Sequence, residues 1–258
     1  MPYKSRWSVP IPDCSLPTFL FGSASHTENS SLANKKCYLD AQNPEKNYLT
    51  RSGFKLWSQR FGAGLRNLPG FAPGERVLVF SGNNLAFPVA FMGILMAGGI
   101  FSAANPSFVG RELANQLKDS GACYLLVAQA SLDTALEAAK IAGLPTDRIR
   151  YFDADALFEQ GGMDKGEQKG VKYWNGIFVG ESEARSYQWP ELKGELVCSV
   201  PPLSFLCRGF SGESDGELQC FSRYDYRHMD HRRTSPSCAH SVVTHNGAAS
   251  HSQYSCAG

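Results

Sequence analysis

The side chains best equipped for chemistry lie toward the C-terminal end of the chain, where Cys220, His228, His231, Cys238 and His240 follow one another closely. Thiolates and imidazoles are ordinary zinc ligands, and a structural zinc site holds them at short, repeated spacings on an apolar framework. Neither the spacings nor the framework is present, so the segment is expected to hold no metal. Arg223, Arg227, Arg232 and Arg233 stand among the same residues with Tyr224 and Tyr226. Basic and aromatic side chains together can grip phosphates and stack on bases. A small patch without periodicity reads instead as a solvated surface, and no nucleic-acid partner is expected.

Two glycine-containing stretches could approach a ligand. Gly62-Ala63-Gly64 opens like a dinucleotide fingerprint, but Asn67 stands where the third glycine belongs. A fingerprint must also follow a strand and open a helix, whereas this segment sits inside a helical pattern. Close helix packing is the simpler role. Ser81-Gly82-Asn83-Asn84 does follow a strand pattern, and a sharp strand-to-helix turn ending in a helix cap explains it. No catalytic, cofactor-binding or metal-binding residue is assigned from these motifs.

The elements around them form a regular alternation. From Val77 to Gly110 the chain carries no charge, with Arg76 and Arg111 closing the run. Ser81-Gly82-Asn83-Asn84, Gly98-Gly99 and Asn105-Pro106 punctuate it as turn, helix stop and turn. A membrane-spanning helix needs about 20 apolar residues without such breaks. A buried strand, helix and strand are expected instead, with no membrane span.

Strands are predicted over 76–80, 100–103, 122–128 and 148–152. Helices are predicted from Asn84, with Pro88 in the first turn, over 111–118, where Leu113 and Leu117 share a face, and from Ser131 to Gly143. Ahead of them, 50–65 places Phe54, Trp57, Phe61 and Leu65 along one side of an amphipathic helix. This alternation predicts an α/β fold, a parallel-rich sheet with flanking helices. Residues 153–190 read as a looser, exposed connection, because Gly161-Gly162, Lys165-Gly166 and Lys169-Gly170 interrupt them. Only 176–179 form a short apolar piece there.

Composition narrows the class further. A net charge of +1 gives no field that would recruit nucleic acid or an acidic membrane, and 43% hydrophobic residues can supply a core. Pro10, Pro12, Asp13 and Pro17 interrupt any secretory leader, so Asn29-Ser30-Ser31 reads as a surface loop rather than a glycosylation site. Cys198, Cys207, Cys220, Cys238 and Cys256 all follow residue 190, and the earlier part has the sparse cysteines of a reducing compartment. An intracellular protein is expected. Cytoplasm and peroxisome stay open, although Cys256-Ala257-Gly258 is not a peroxisomal address of the Ser-Lys-Leu type. From Cys207 to Gly258 neither helical nor strand periodicity appears, and disorder is expected.

Gly74-Glu75-Arg76-Val77, Asn84, Gly98-Gly99, Asn105-Pro106, Glu112-Leu113, Gln116-Leu117 and Ser120-Gly121-Ala122 occur in one order. Together they resemble the N-terminal subdomain of adenylate-forming (AMP-dependent synthetase/ligase) enzymes, particularly fungal acyl-CoA synthetases similar to 4-coumarate–CoA ligase. Tyr48-Leu49-Thr50 fits the start of that domain. The resemblance covers 35–192. It divides the chain into an N-terminal extension (1–34), a partial synthetase domain (35–192) and an aberrant tail (193–258).

The resemblance implies that a carboxylic acid is joined to AMP, using ATP and Mg²⁺, and then transferred to the thiol of coenzyme A. It also implies a Ser/Thr/Gly loop ending in Pro-Lys-Gly for the phosphates. No Pro-Lys-Gly occurs in the chain, and Phe210 to Gly216 offers Glu213 and Asp215 but no lysine. A fragment that ends before the phosphate loop, is catalytically inactive and holds no cofactor of its own is therefore expected. The alternative is a non-catalytic folded fragment that binds a protein partner, self-associates or meets a chaperone through an exposed apolar face.

Overall fold

A computed structural model describes residues 13–22, 30–158 and 165–191. The expectations for 193–258, including the cysteine–histidine cluster, the arginine–tyrosine patch and the disordered tail, lie outside the described residues.

Two short helices, α1 (Leu16–Phe21) and α2 (Ser30–Ala33), precede a hairpin of β1 (Lys36–Leu39) and β2 (Tyr48–Thr50). Thr50 ends β2 and caps the next helix, α3 (Arg51–Arg66), its hydroxyl accepting from the Gly53 N–H at 3.0 Å. Phe54, Phe61 and Leu65 of the predicted apolar side are buried, and Trp57 is half-buried.

The central strand is β3 (Arg76–Phe80), and residues 77–80 are at most 1% exposed. A strand hidden on both faces gains nothing from alternation, which is why its sequence is a continuous apolar run. The chain continues through α4 (Ala86–Met96), β4 (Ile100–Ala104), α5 (Gly110–Ser120), β5 (Tyr124–Ala128), α6 (Leu132–Ala142) and β6 (Ile149–Phe152). β7 (Glu167–Gln168), β8 (Val171–Tyr173) and α7 (Glu181–Ser186) follow.

Six strands form one sheet in the order β4-β3-β5-β6-β8-β7, parallel throughout except for the β7–β8 pair. The parallel-rich α/β architecture is the one expected from the sequence. Residues 84–104 break into α4 and β4, and among the described residues no helix is long and apolar enough to cross a membrane.

Local chemistry explains the small shifts in boundaries. β5 starts at Tyr124 rather than 122, because the Ala122 N–H closes α5 by donating to the Leu117 carbonyl at 3.2 Å. Gly121, at φ 60°, makes that left-handed exit possible. At its other end α5 begins at Gly110, where the Glu112 carboxylate accepts from the Val109 N–H at 3.1 Å.

The larger departure lies in 165–190, read from sequence as an exposed connection. Val171, Tyr173, Trp174, Ile177 and Trp189 are buried there. The strands involved are two and three residues long, too short for periodicity to register, and the turn between them uses Lys169 and Gly170 at positive φ. Trp174 sits among Phe61, Phe152 and Phe178, with ring centroids 4.8–5.3 Å away. The following stretch is tied back to the helices, Tyr187 donating to the Met96 carbonyl at 2.8 Å and Arg60 to the Val179 carbonyl at 2.8 Å.

Glycines set the distances among these pieces. A Cβ on Gly62 would stand 2.8 Å from the Gly93 carbonyl oxygen, and one on Gly93 would stand 2.6 Å from a Phe61 ring carbon. On Gly64 it would lie 1.6 Å from the Ile177 carbonyl oxygen. Gly64→Ala would gain about 1 kcal/mol of helix propensity, but the backbone contact must then open. We expect a net loss of at least about 2 kcal/mol, on the scale of overpacked cores. Gly82→Ala, in open space, should stay within about 0.5 kcal/mol of the parent. Urea midpoints of the three proteins check both outcomes.

Candidate functional site

Along the sheet, β3 has β4 on one side and β5 on the other, so the connections leave in opposite directions at β3. In open α/β sheets, ligands bind at such a switch point, outside the carboxyl ends of the strands. Here that crevice lies between the loop after β3 and the loop after β5, which makes Ser81-Gly82-Asn83-Asn84 and Gln129 its bordering residues.

The loop after β3 is built mainly to turn the chain. Asn84 Oδ1 accepts from the N–H groups of Ala86 and Phe87 at 2.8 and 3.0 Å, and Asn84 Nδ2 donates to Ser81 Oγ at 3.0 Å. Ser81 Oγ in turn donates to the Gly82 carbonyl at 2.8 Å. Asn84 thus caps α4, as the sequence suggested, and Ser81 holds the Asn84 amide in place. Gly82, Asn83 and Gln129 are exposed beside the crevice. Gly62 and Gly64, the other stretch singled out in the sequence, lie inside α3 and serve helix packing.

The loop after β4 behaves like the one after β3. Asn105 Oδ1 accepts from the Ser107 N–H at 2.8 Å, and Gln116 Nε2 donates to the Ala103 carbonyl at 2.8 Å. Beyond β6 the structure reveals a charged cluster that no motif announced. Lys165 Nζ lies 2.6 Å from Asp153 Oδ2 and 2.5 Å from Asp155 Oδ2, while the Tyr173 hydroxyl donates to Asp153 Oδ1. Burial opposes the charge on Lys165, but the two carboxylates outweigh it and hold its pKa above the ordinary lysine value. Burial and then the bond to Asp153 raise Tyr173 far above the ordinary phenol. Neither group exchanges protons near neutrality. The cluster anchors the β7–β8 hairpin to the end of β6.

The described residues include no histidine, because His26 and the five others fall outside them. They also include no group of three or more His, Cys, Asp or Glu placed to hold a metal ion. Cys123 is a poor nucleophile: burial, followed by the hydrogen bond and charge of Glu75, pushes its thiol up to about 12.

This sheet, with its switch point and capped loops, has an open, parallel-rich α/β architecture. A profile of the AMP-binding enzyme family matches residues 28–186. The chain belongs to that family. Phenylacetyl-CoA ligase epaB of Aspergillus niger is 30% identical over 150 residues, which is 58% of this chain and 26% of the relative. The 4-coumarate–CoA ligase-like 3 protein of Oryza sativa subsp. japonica is 35% identical over 81 residues, 31% of this chain and 14% of the relative. Among solved structures, the luciferase-like enzyme of the mealworm Zophobas morio superposes with a TM-score of 0.59 at 18% identity, over 73% of this chain and 40% of that one. That likeness establishes the fold. The chain spans about a quarter of the length of the curated relatives it matches.

The Lys165 cluster makes a pH dependence. A lysine whose pKa is raised on folding stabilises the fold fully below the unfolded value near ~10.4, and the gain is lost as pH rises through the folded value. Lys165→Met should therefore cost ~0.5–1 kcal/mol at neutral pH, the scale of a solvent-screened pair. The difference should shrink above pH ~10.5. Denaturant melts across that range check it.

Proposed function

We propose that residues 35–192 are the scaffolding part of an acid–thiol ligase, an enzyme joining a carboxylic acid to AMP and then to coenzyme A, and that this chain by itself does not catalyse adenylation. The match over 28–186 carries the first half of the reading. Relatives named phenylacetyl-CoA ligase and 4-coumarate–CoA ligase-like favour an acid with an aromatic ring as the substrate class.

The second half follows from what the reaction demands. Fixed donors aimed at the transferring phosphoryl group are usually the largest contribution to catalysis. A Pro-Lys-Gly phosphate loop would supply them, together with acidic residues for Mg²⁺, and the sequence contains no Pro-Lys-Gly. At the carboxyl edge of the sheet, Asn84 is already committed to the α4 cap, Ser81 to Asn84 and the Gly82 carbonyl, and Lys165 to two carboxylates. ATP, Mg²⁺ and coenzyme A then belong to a ligase with the remaining machinery, not to these residues alone. Pyrophosphate release by the purified chain should stay at background with aliphatic and aromatic acids alike. Turnover requiring both ATP and acid, in a preparation free of contaminating ligases, would overturn the reading.

A second reading, association through an apolar face, is favoured by α1, α2 and β1. Phe19 is 61% exposed, and Leu16, Leu32, Tyr38 and Leu39 are also open to solvent. Tyr38 and Phe21 both pack edge-on against Phe54, which places β1 and α1 side by side. If this face self-associates, the chain should sediment as a concentration-dependent oligomer, and Phe19→Ser with Leu39→Ser should return it to monomer. A parent protein that is monomeric at all concentrations would remove self-association from consideration.

A further inference from the structure

α1 is six residues long with Pro17 in its first turn, too short to hold a helical shape in water by itself. Two sets of contacts hold it. At its C-terminal end Phe21 is 2% exposed and meets Phe54 of α3 edge-on, with ring centroids 5.3 Å apart. Arg51 of α3 donates to the Leu20 carbonyl beside it. At its N-terminal end the contacts are polar and come from the other end of the described chain. The Ser15 N–H donates to Glu191 Oε2 at 3.2 Å, and the Thr18 hydroxyl donates to Glu191 Oε1. Thr18 Oγ1 also accepts from the Trp189 indole N–H at 3.0 Å.

The two ends differ in how easily they open. Phe21 is held by burial of its ring, whereas Glu191 is exposed and Thr18 half-buried, so water competes for their hydrogen bonds. Trp189 is 5% exposed, and a buried indole N–H needs an acceptor. Thr18 is that acceptor. Around Trp189 the segment lies along α3 and α4. Tyr187 donates to the Met96 carbonyl at 2.8 Å, Pro190 stands against Gly98, and Lys55 of α3 lies over the Trp189 ring, 5.8 Å from its centroid. α1 is thus anchored on α3 by an apolar ring and fastened to 187–191 by hydrogen bonds.

We propose that residues 13–22 are a strap latched to residues 187–191, so that the two segments open and close as one unit while the sheet stays folded. Thr18 is the positioning residue of the latch, because its single oxygen serves both the Trp189 N–H and the Glu191 carboxylate. The strap then belongs to the domain rather than to an extension ahead of it, and it sets the direction in which the chain leaves at Glu191. The latch uses neither the loops after β3 and β5 nor the exposed side chains of Phe19 and Leu39, and it is independent of the ligase reading.

Hydrogen exchange read by mass spectrometry on the full chain tests it, in peptides covering 15–22 and 184–191. In Thr18→Val both peptides should exchange about 5- to 10-fold faster, the scale of one or two lost hydrogen bonds. Exchange in β3 and β5 should not change. Thr18→Ser keeps the oxygen and should match the parent. Glu191→Ala should also speed both peptides. The double variant Thr18→Val with Glu191→Ala should fall short of the product of the two single effects, because both changes open one latch. Exchange of 184–191 unchanged in Thr18→Val overturns the proposal, whatever 15–22 does, and so does Thr18→Ser behaving like Thr18→Val. Single effects that multiply in the double variant, or a rise of equal size in β3 and β5, would equally overturn it.

Discussion

Gly62 of α3 and Gly93 of α4 meet where neither can carry a side chain, and the layer above the sheet is arranged around that contact. Phe61 occupies the space over Gly93, and Gly64 brings α3 against the main chain at Ile177. Packed interiors have no slack to absorb an extra methyl at such points. The distance between α3 and α4 fixes how α4 sits on β3. The distance between α3 and Ile177 in turn fixes where Trp174, Phe178 and Tyr187 can reach the core. Through its buried glycines Gly62 and Gly64, α3 thus joins α4 to the segment that follows β8.

Below that layer the sheet separates two kinds of polar group. At the carboxyl edge, side chains that look available in the sequence are mostly engaged: Asn84 in capping α4, Asn105 in turning toward α5, Lys165 and Tyr173 in holding Asp153. On the β6–β8 side, Arg150 and Lys172 stand in register on adjacent strands, with Glu167 opposite Lys172. A loop at a strand end must satisfy its own backbone before it can serve a ligand.

Family membership fits this division of labour. What the chain shares with acid–CoA ligases is a packed, mostly parallel sheet with a switch point. A fold of this type hosts many chemistries, so membership alone does not name the acid.

The strands 76–80, 100–104 and 149–152 and the helices between them were legible in the sequence because each is a buried run bounded by Gly, Asn or Pro, and local propensity and burial agree there. The likeness to adenylate-forming enzymes was legible for a related reason, since turn residues at fixed order mark strand ends. The role of Gly62 in packing could be argued from its place in a helical pattern, but its partner Gly93 could not. Burial of Val171, Tyr173 and Trp174 was not legible either, because strands of two and three residues carry no period and their partner, β6, lies some twenty residues earlier in the chain. The Asp153–Lys165–Tyr173 cluster and the Arg150–Lys172 pair were hidden for the same reason. Spacing along one chain encodes local geometry, whereas these contacts exist only once parallel pairing brings distant strands into register.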